Sequence, residues 1–320
     1  MATQTTAPLK TIDCGDGIIA IDTYYHRPMM DASHLIIAQN EAAFIDVGTK
    51  FSMPHLLGSL DKYKVRREEV RYIILTHIHL DHAGGAGHLM QALPHATLLV
   101  HPRGLRHMCD PSKLWAGTVQ VYGENNTKAL YGELLPIDEK RIVCPNDGQN
   151  IPLGNRQLNF FYTLGHAKHH FCIQDQQSGA VFSGDSFGIS YRELDSSKGP
   201  FILPTTTPIH FDPDAMHKTV DAIVERAPPA VYLTHFSRVE GVAKLAQDMH
   251  THIDALTALA QNYQATLKQG VESLMSAMRT YLWKALDDHG CTLSGEQRAT
   301  LLDKDIELNA QGLSVWLAGR

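Results

Sequence analysis

Apolar and polar positions along this chain fall into two regimes. Up to about residue 240, short apolar runs alternate with turn residues. "GIIAIDTYY", "SHLIIA" and "AAFIDVG", bounded by polar or proline-containing turns, read as strands. A short helix is expected near 53–62, then a strand at "VRYIIL", a helix at "AGHLMQAL" and a strand at "ATLLVH". This succession predicts layered α/β organisation. Residues 111–140 carry no clean period; helix is expected around "NNTKALYGELL", in a segment with the character of an insertion near a site.

A second β-rich block follows in "RIVC", "GQNIPLG", "RQLNFFYTLG", "HFCIQD" and "AVFSGD", with turns at Asn146-Asp147-Gly148 and Ser178-Gly179. After the proline-rich loop "GPFILPTTTP", Asp212 as N-cap and Pro213 at the first helical position open a helix in "FDPDAMHKTVDAIVERA". "AVYLTHF" is expected as the last strand. From about residue 240 apolar residues recur at spacings of three and four. Leu245, Met249, Ile253, Leu256, Ala260, Tyr263 and Leu267 mark one amphipathic helix, and Val271, Leu274, Met278, Leu282 and Leu286 a second. Ser294 with Gln297 resembles a capping box opening a third, and Ile306, Leu313 and Trp316 imply a fourth. The expected division is a catalytic domain over residues 1–240 and a helical extension over 241–320, serving as a lid, a dimer face or the cover of an apolar sheet.

Composition narrows the class. In 320 residues, 43% hydrophobic and 19% charged content with a net charge of −6 describe a soluble globular protein without the basic footprint of a nucleic-acid binder. The start "MATQTTAPLK" lacks the pattern of a signal peptide, and no run approaches the ~18 apolar residues of a membrane helix. A cytoplasmic location with no membrane partner is the expectation. Cys14, Cys109, Cys144, Cys172 and Cys291 are scattered without CxxC spacing and read as ordinary reduced thiols.

The 19 histidines change the picture only where they form constellations. Lone ones such as His55, His95, His107 and His289 read as structural. "THIHLDHAGG", residues 76–85, places His77, His79, Asp81 and His82 within six residues, directly after an apolar run. His166 in "FYTLGHAKHH", Asp185 in "AVFSGDSF" and His235 in "AVYLTHF" likewise follow apolar strands, so the four segments can converge at one sheet edge. Along an extended loop His77 and His79 point the same way, while Asp81 and His82 reach a second point, which suggests two metals. Five imidazoles and two carboxylates suit two divalent ions, Zn²⁺ foremost, with Fe or Mn²⁺ as alternatives.

"THIHLDHAGG", with "FIDVG", "TLGHAKHH", "FSGDSF" and "YLTHF" in the same order, resembles the motif series of the metallo-β-lactamase fold superfamily over roughly residues 18–240. The resemblance implies an αββα sandwich with a two-metal site at one edge of its sheets. It implies that His77, His79 and His166 hold one ion and that Asp81, His82 and His235 hold the second, with Asp185 bridging them. Asp46 would support the metal loop without binding metal. "TLGHAKHH" departs from the Thr-Pro-Gly-His-x-x-Gly-His of many members and, together with "FDPDAM", resembles a subgroup of uncharacterised prokaryotic hydrolases. There His170 matches the usual histidine behind the ligands, and His169 either faces the site or packs structurally.

The expected activity is hydrolysis of a small ester, thioester, lactone or phosphoester by a hydroxide bridging two ions, with Asp81, Asp185 and His170 as the catalytic residues. Alternatives are an iron-dependent oxidoreductase of the sulfur dioxygenase type and a metal-binding regulatory protein. The expected partner is a small-molecule substrate, with a homodimer left open. In some hydrolases and a quorum-sensing thioesterase of the superfamily, C-terminal helices restrict the pocket, which favours such a role for the extension.

Overall fold

The computed structural model describes residues 7–206, 208–264 and 270–319. The first six residues, Thr207 of the proline-rich loop and Leu267 of the expected first tail helix lie outside them.

The chain opens with β1 (Thr11–Asp13), β2 (Ile18–Asp22), β3 (Ala32–Ala38) and β4 (Glu41–Ile45), each antiparallel to the one before. It crosses through α1 (Met53–Tyr63) to β5 (Val70–Ile74), parallel to β4. Helices α2 (Leu80–Ala83) and α3 (Ala86–Ala92) lead to β6 (Thr97–Leu99), and α4 (Leu105–Cys109), α5 (Ser112–Tyr122) and α6 (Glu124–Tyr131) precede β7 (Ile142–Val143). These seven strands form one sheet in chain order. The second sheet comprises β8 (Asn150–Leu153), β9 (Arg156–Tyr162), β10 (Phe171–Asp175) and β11 (Val181–Gly184), then, after α7 (Pro213–Glu225), β12 (Val231–Leu233) and β13 (Ser237–Val239).

The alternation that marked these strands sorts their side chains by layer. Ile36, Ala43, Ile45 and Ile74 of the first sheet meet Leu158, Phe160, Phe171 and Ile173 of the second between the two sheets. Leu35, Phe44 and Ile73 point the other way, onto Leu56 and Leu60 of α1 and Leu89 of α3. Phe161, Cys172 and Val181 pack outward against Met216, Val220 and Ile223 of α7. The result is the expected αββα sandwich.

Two strand expectations and one helix expectation need amending. "AVYLTHF" is not the last strand: β12 turns back into β13, with Leu233 opposite Ser237 and Val231 opposite Val239. Three residues with a central charge are too short to show a period. The expected helix around "NNTKALYGELL" ends at Tyr131, where Gly132 takes a φ of 72°, and the preceding 112–122 is also helical. A short strand at Thr11–Asp13 was also not anticipated.

The tail folds as α8 (Val242–Asn262), α9 (Glu272–His289) and α10 (Gly295–Ala318). Ser294 and Gln297 form both halves of the capping box on α10. The expected third and fourth helices are one, because Leu302, Ile306, Ala310, Leu313 and Leu317 continue a single buried stripe without a breaker. Met249, Ile253, Leu282, Ile306 and Leu313 join one apolar cluster with Phe187, Leu203 and Met216, so the tail covers the outer face of the second sheet beside α7.

Candidate metal centre

β9 and β11 both run antiparallel to β10, and β12 runs parallel to β11. The C-terminal ends of β9, β11 and β12 therefore share one edge, and the loops leaving them carry His166, Asp185 and His235. Glycine allows two of these loops to fold tightly. At Gly165, with φ 119°, an added Cβ would sit 2.5 Å from the Met216 backbone; at Gly184, with φ 50°, it would sit 2.4 Å from Thr76 Oγ1 and 2.7 Å from His170 Nε2. Each of these glycines immediately precedes a ligand candidate.

Asp46, at the end of β4, organises the first-sheet side. It accepts hydrogen bonds from the Thr76 amide (2.9 Å) and hydroxyl (2.8 Å), from the Thr234 hydroxyl (2.7 Å) and from His82 Nδ1 (2.7 Å). One buried carboxylate thus ties together the loop after β5, the imidazole on α2 and the β12–β13 turn. Because His82 gives its Nδ1 proton to Asp46, its Nε2 faces the cluster.

Two groups of donors meet there. His77 Nε2, His79 Nδ1 and His166 Nε2 lie 2.9, 3.1 and 3.3 Å from one another. Three nitrogens about 3.3 Å apart is the spacing that a tetrahedral ion at 2.0–2.1 Å from each would impose. In the second group, His82 Nε2 lies 3.2 Å and His235 Nε2 3.5 Å from Asp185 Oδ1, and Asp81 Oδ2 is 3.9 and 3.7 Å from the same two nitrogens. Asp185 Oδ2 turns the other way, 3.4 Å from His166 Nε2. His82 Nε2 and Asp185 Oδ1 are buried and have no hydrogen-bond partner among the described residues. Unpaired polar atoms in a buried cluster are costly, and cations between them remove the cost, so the residues present fit divalent metal.

Electrostatics divides the two groups. Burial holds His77, His79 and His166 below the ordinary histidine range, as neutral rings with lone pairs to offer. Burial would lower His82 too, but Asp185, Asp46 and Asp81 outweigh it and raise it well above that range. His235 is likewise lifted against burial, to about 10, first by Asp31 and then by Asp185. Burial would raise Asp185, yet His82, His235 and His166 drive it well below the usual carboxylate range.

All seven residues expected from the sequence to bind metal are brought together: His77, His79 and His166; His77, His82 and Asp185; and Asp81, His82 and His235 each form a compact ligand group. His170 belongs to none of these groups. Its ring stacks on His77 at 4.9 Å, and its Nδ1 meets the hydroxyls of Thr163 (2.8 Å) and Ser186 (3.0 Å). His169 lines the cavity in front of the site, 5.5 Å ring to ring from His79 and 5.8 Å from His210.

Sequence reading missed Asp31, whose carboxylate lies 2.7 Å from His235 Nδ1. An acid directly before an apolar strand was its one local signal, the mirror of Asp46 directly after one. It also missed Thr205, whose hydroxyl meets His166 Nδ1, and Asn309 on α10. Asn309 accepts from the Thr206 amide (2.7 Å) and donates to the Pro204 carbonyl (3.1 Å), pinning the loop that carries Thr205.

A cavity of about 500 Å³ opens over the donors. Asp81, Asp185, His79 and His235 form its floor, Leu114, Val121 and Tyr122 of α5 one wall, and Asp305 and Leu308 of α10 another. Side chains from Lys113 to Tyr131, within the 111–140 segment, thus line the cavity, and the tail contributes to it.

An αββα sandwich with a histidine and aspartate centre at its strand ends defines a class of metal-binding proteins. The chain belongs to the metallo-β-lactamase superfamily, whose family model matches residues 27–235. It is 25% identical over 212 residues to a metallo-β-lactamase fold-containing protein of Sulfurisphaera tokodaii, covering 65% of this chain and 73% of that one. The crystal structure of that archaeal protein superposes with a TM-score of 0.61 over 76% of this chain and 86% of that one. The human acyl-coenzyme A thioesterase MBLAC2 is 27% identical over 182 residues, 53% of this chain and 63% of the thioesterase. A metallo-β-lactamase family protein of Thermus thermophilus shares the fold over 96% of this chain and 95% of its own, at 17% identity and a TM-score of 0.64. That match includes the helical tail. Among the described residues, no helix is long and apolar enough to cross a membrane.

Proposed function

We propose that this protein is a dinuclear metal-dependent hydrolase of small ester-type substrates, with thioesters of apolar acyl groups as the preferred class. His77, His79 and His166 would hold one divalent ion, most simply Zn²⁺, and Asp81, His82 and His235 the other. The observation that carries the reading is Asp185, with Oδ1 toward His82 and His235 and Oδ2 toward His166. Bound there, two ions would bring the pKa of a shared water toward neutrality and polarise a substrate carbonyl.

The chain's own residues supply the rest. Asp46 accepts the Nδ1 proton of His82, and the Asp31 carboxylate lies 2.7 Å from Nδ1 of His235, so that each Nε2 faces the centre. The cavity is within the roughly 300–1,000 Å³ of small-molecule sites, and Met30, Leu80, Leu114, Val121 and Leu308 give an acyl chain an apolar surface. Burial pushes Tyr122 up to about 12, so it keeps its proton and remains a hydrogen-bond donor in the wall. The thioesterase assignment of the human relative supports the substrate class, over the part of its length that the match spans.

The test is turnover of acyl thioesters and p-nitrophenyl esters of graded chain length, with a phosphodiester alongside, by protein carrying two zinc equivalents. Thioester hydrolysis is expected, with Leu308→Phe reducing kcat/KM for long chains more than for short ones. Two bound equivalents without hydrolysis of any substrate, or one iron with oxygen uptake, would overturn the proposal.

A further inference from the structure

A second set of metal-type donors lies between α7 and α8, outside the catalytic cluster. Each helix offers a histidine followed one turn later by an aspartate: His217 and Asp221 on α7, His250 and Asp254 on α8. The helices run antiparallel here, since 217 meets 254 while 221 meets 250. His217 Nε2 lies 3.1 Å from Asp254 Oδ1, and His250 Nε2 lies 3.1 Å from Asp221 Oδ1. The rings lie nearly in one plane, 4.9 Å between centroids with 14° between their planes, and meet edge to edge with the two Nδ1 atoms 2.6 Å apart. Each carboxylate therefore holds an Nε2 proton on the opposite helix and leaves the Nδ1 of that ring facing the other Nδ1.

Two lone pairs cannot sit at that distance without positive charge between them. A divalent ion between the two nitrogens would remove that repulsion and lie between rings that are each backed by a carboxylate. An imidazole whose far N–H is given to a carboxylate is also the arrangement in which histidines commonly ligate zinc. We propose that His217 and His250, backed by Asp254 and Asp221, form a further transition-metal site, for Zn²⁺ or a similar borderline ion, that clips the tail's first helix to the sandwich. To hold an ion the Nδ1 atoms part to about 3.3 Å and the rings tilt so that both lone pairs converge on it. Side chains 26% and 30% exposed have that freedom, and solvent completes the coordination.

The site is tested on full-length protein whose tight zinc is already in place. Further Zn²⁺ is added by calorimetric titration, and unfolding temperature is followed with and without it. The wild type is expected to take up one additional equivalent with micromolar affinity and to unfold at higher temperature with zinc present. The double variant His217→Asn/His250→Asn should lose that equivalent and the thermal shift while keeping its tight metal. Asp221→Asn/Asp254→Asn keeps both ring ligands and should bind the additional ion about 10 to 100-fold more weakly. The proposal is overturned if the wild type takes up no further zinc, or if the additional equivalent and the thermal shift survive in the histidine variant.

Discussion

The carboxylate of Asp31 lies 2.7 Å from Nδ1 of His235; both residues are buried, and His235 belongs to the floor of the cavity. Asp46 stands in the same relation to His82, also at 2.7 Å. The two imidazoles of the second ligand group are thus each backed by a carboxylate. In the first group, among the described residues, His77 Nδ1 meets the Thr76 hydroxyl and no carboxylate, and His166 Nδ1 meets Thr205. A carboxylate behind the ring makes the facing nitrogen a stronger donor, so the groups differ in electron richness although both are built mainly from histidine.

Replacing Asp31 with Asn should act on one ion and spare the other. Affinity at the second group is expected to fall about 10 to 100-fold, while the His77, His79 and His166 group keeps its metal. Metal content after equilibration with graded chelator reads this directly. Equal loss from both groups, or none, would show that Asp31 does not act through His235.

Asp185→Ala should have a larger and different effect. Its two oxygens face both groups, so removal is expected to bring metal content toward one equivalent and abolish nearly all hydrolysis. If two equivalents survived extensive dialysis, the bridging role would be wrong.

Asn309→Ala probes the tail's reach into the centre. The substitution leaves the buried Thr206 amide without its acceptor, at a cost of about 1–3 kcal/mol. It also releases the loop that holds Thr205 against His166. Looser metal at the first group should therefore accompany the lower unfolding temperature, whereas Gln311→Ala, on the same helix, should change neither. A destabilised Asn309→Ala protein with unchanged metal affinity would confine the residue to a structural role.

Stability should fall as the solution is acidified, in part through His252. The ring is buried against Phe201, and its Nδ1 lies 2.7 Å from the Tyr281 hydroxyl. Burial lowers it from 6.5 to about 4. The unfolded chain therefore takes up this proton first as pH drops, and the folded state loses ground between pH 6.5 and 4, with no further change below. From pH 7 to 5 the loss is about 2 kcal/mol. His252→Gln should reduce the pH 7-to-5 difference in unfolding free energy by about that amount, measured by urea denaturation.

What was legible locally was legible from sequence alone. The strand alternation of β3 through β6, the Asp212 and Pro213 helix start, the Ser294 capping box and the crowding of His77, His79, Asp81 and His82 depend on neighbours within a turn or a loop. The expectation of a fourth tail helix failed although no breaker divides Leu302 from Leu317: the stripe is continuous along one helix and packs into the same apolar cluster as α8 and α9.

The sequence by itself determined the layered strands and helices, the donor chemistry of the seven ligand candidates and their attachment to strand ends, because side-chain period and residue type are properties of the local chain. Only the tertiary structure decided which carboxylate stands behind which imidazole, and that α10 both walls the cavity and pins the loop at His166. Asp31 meets His235, and Asn309 meets Thr206, across long stretches of sequence. Such partners are chosen by the way two sheets and the tail bury their apolar faces together, and no local pattern of residues encodes that choice.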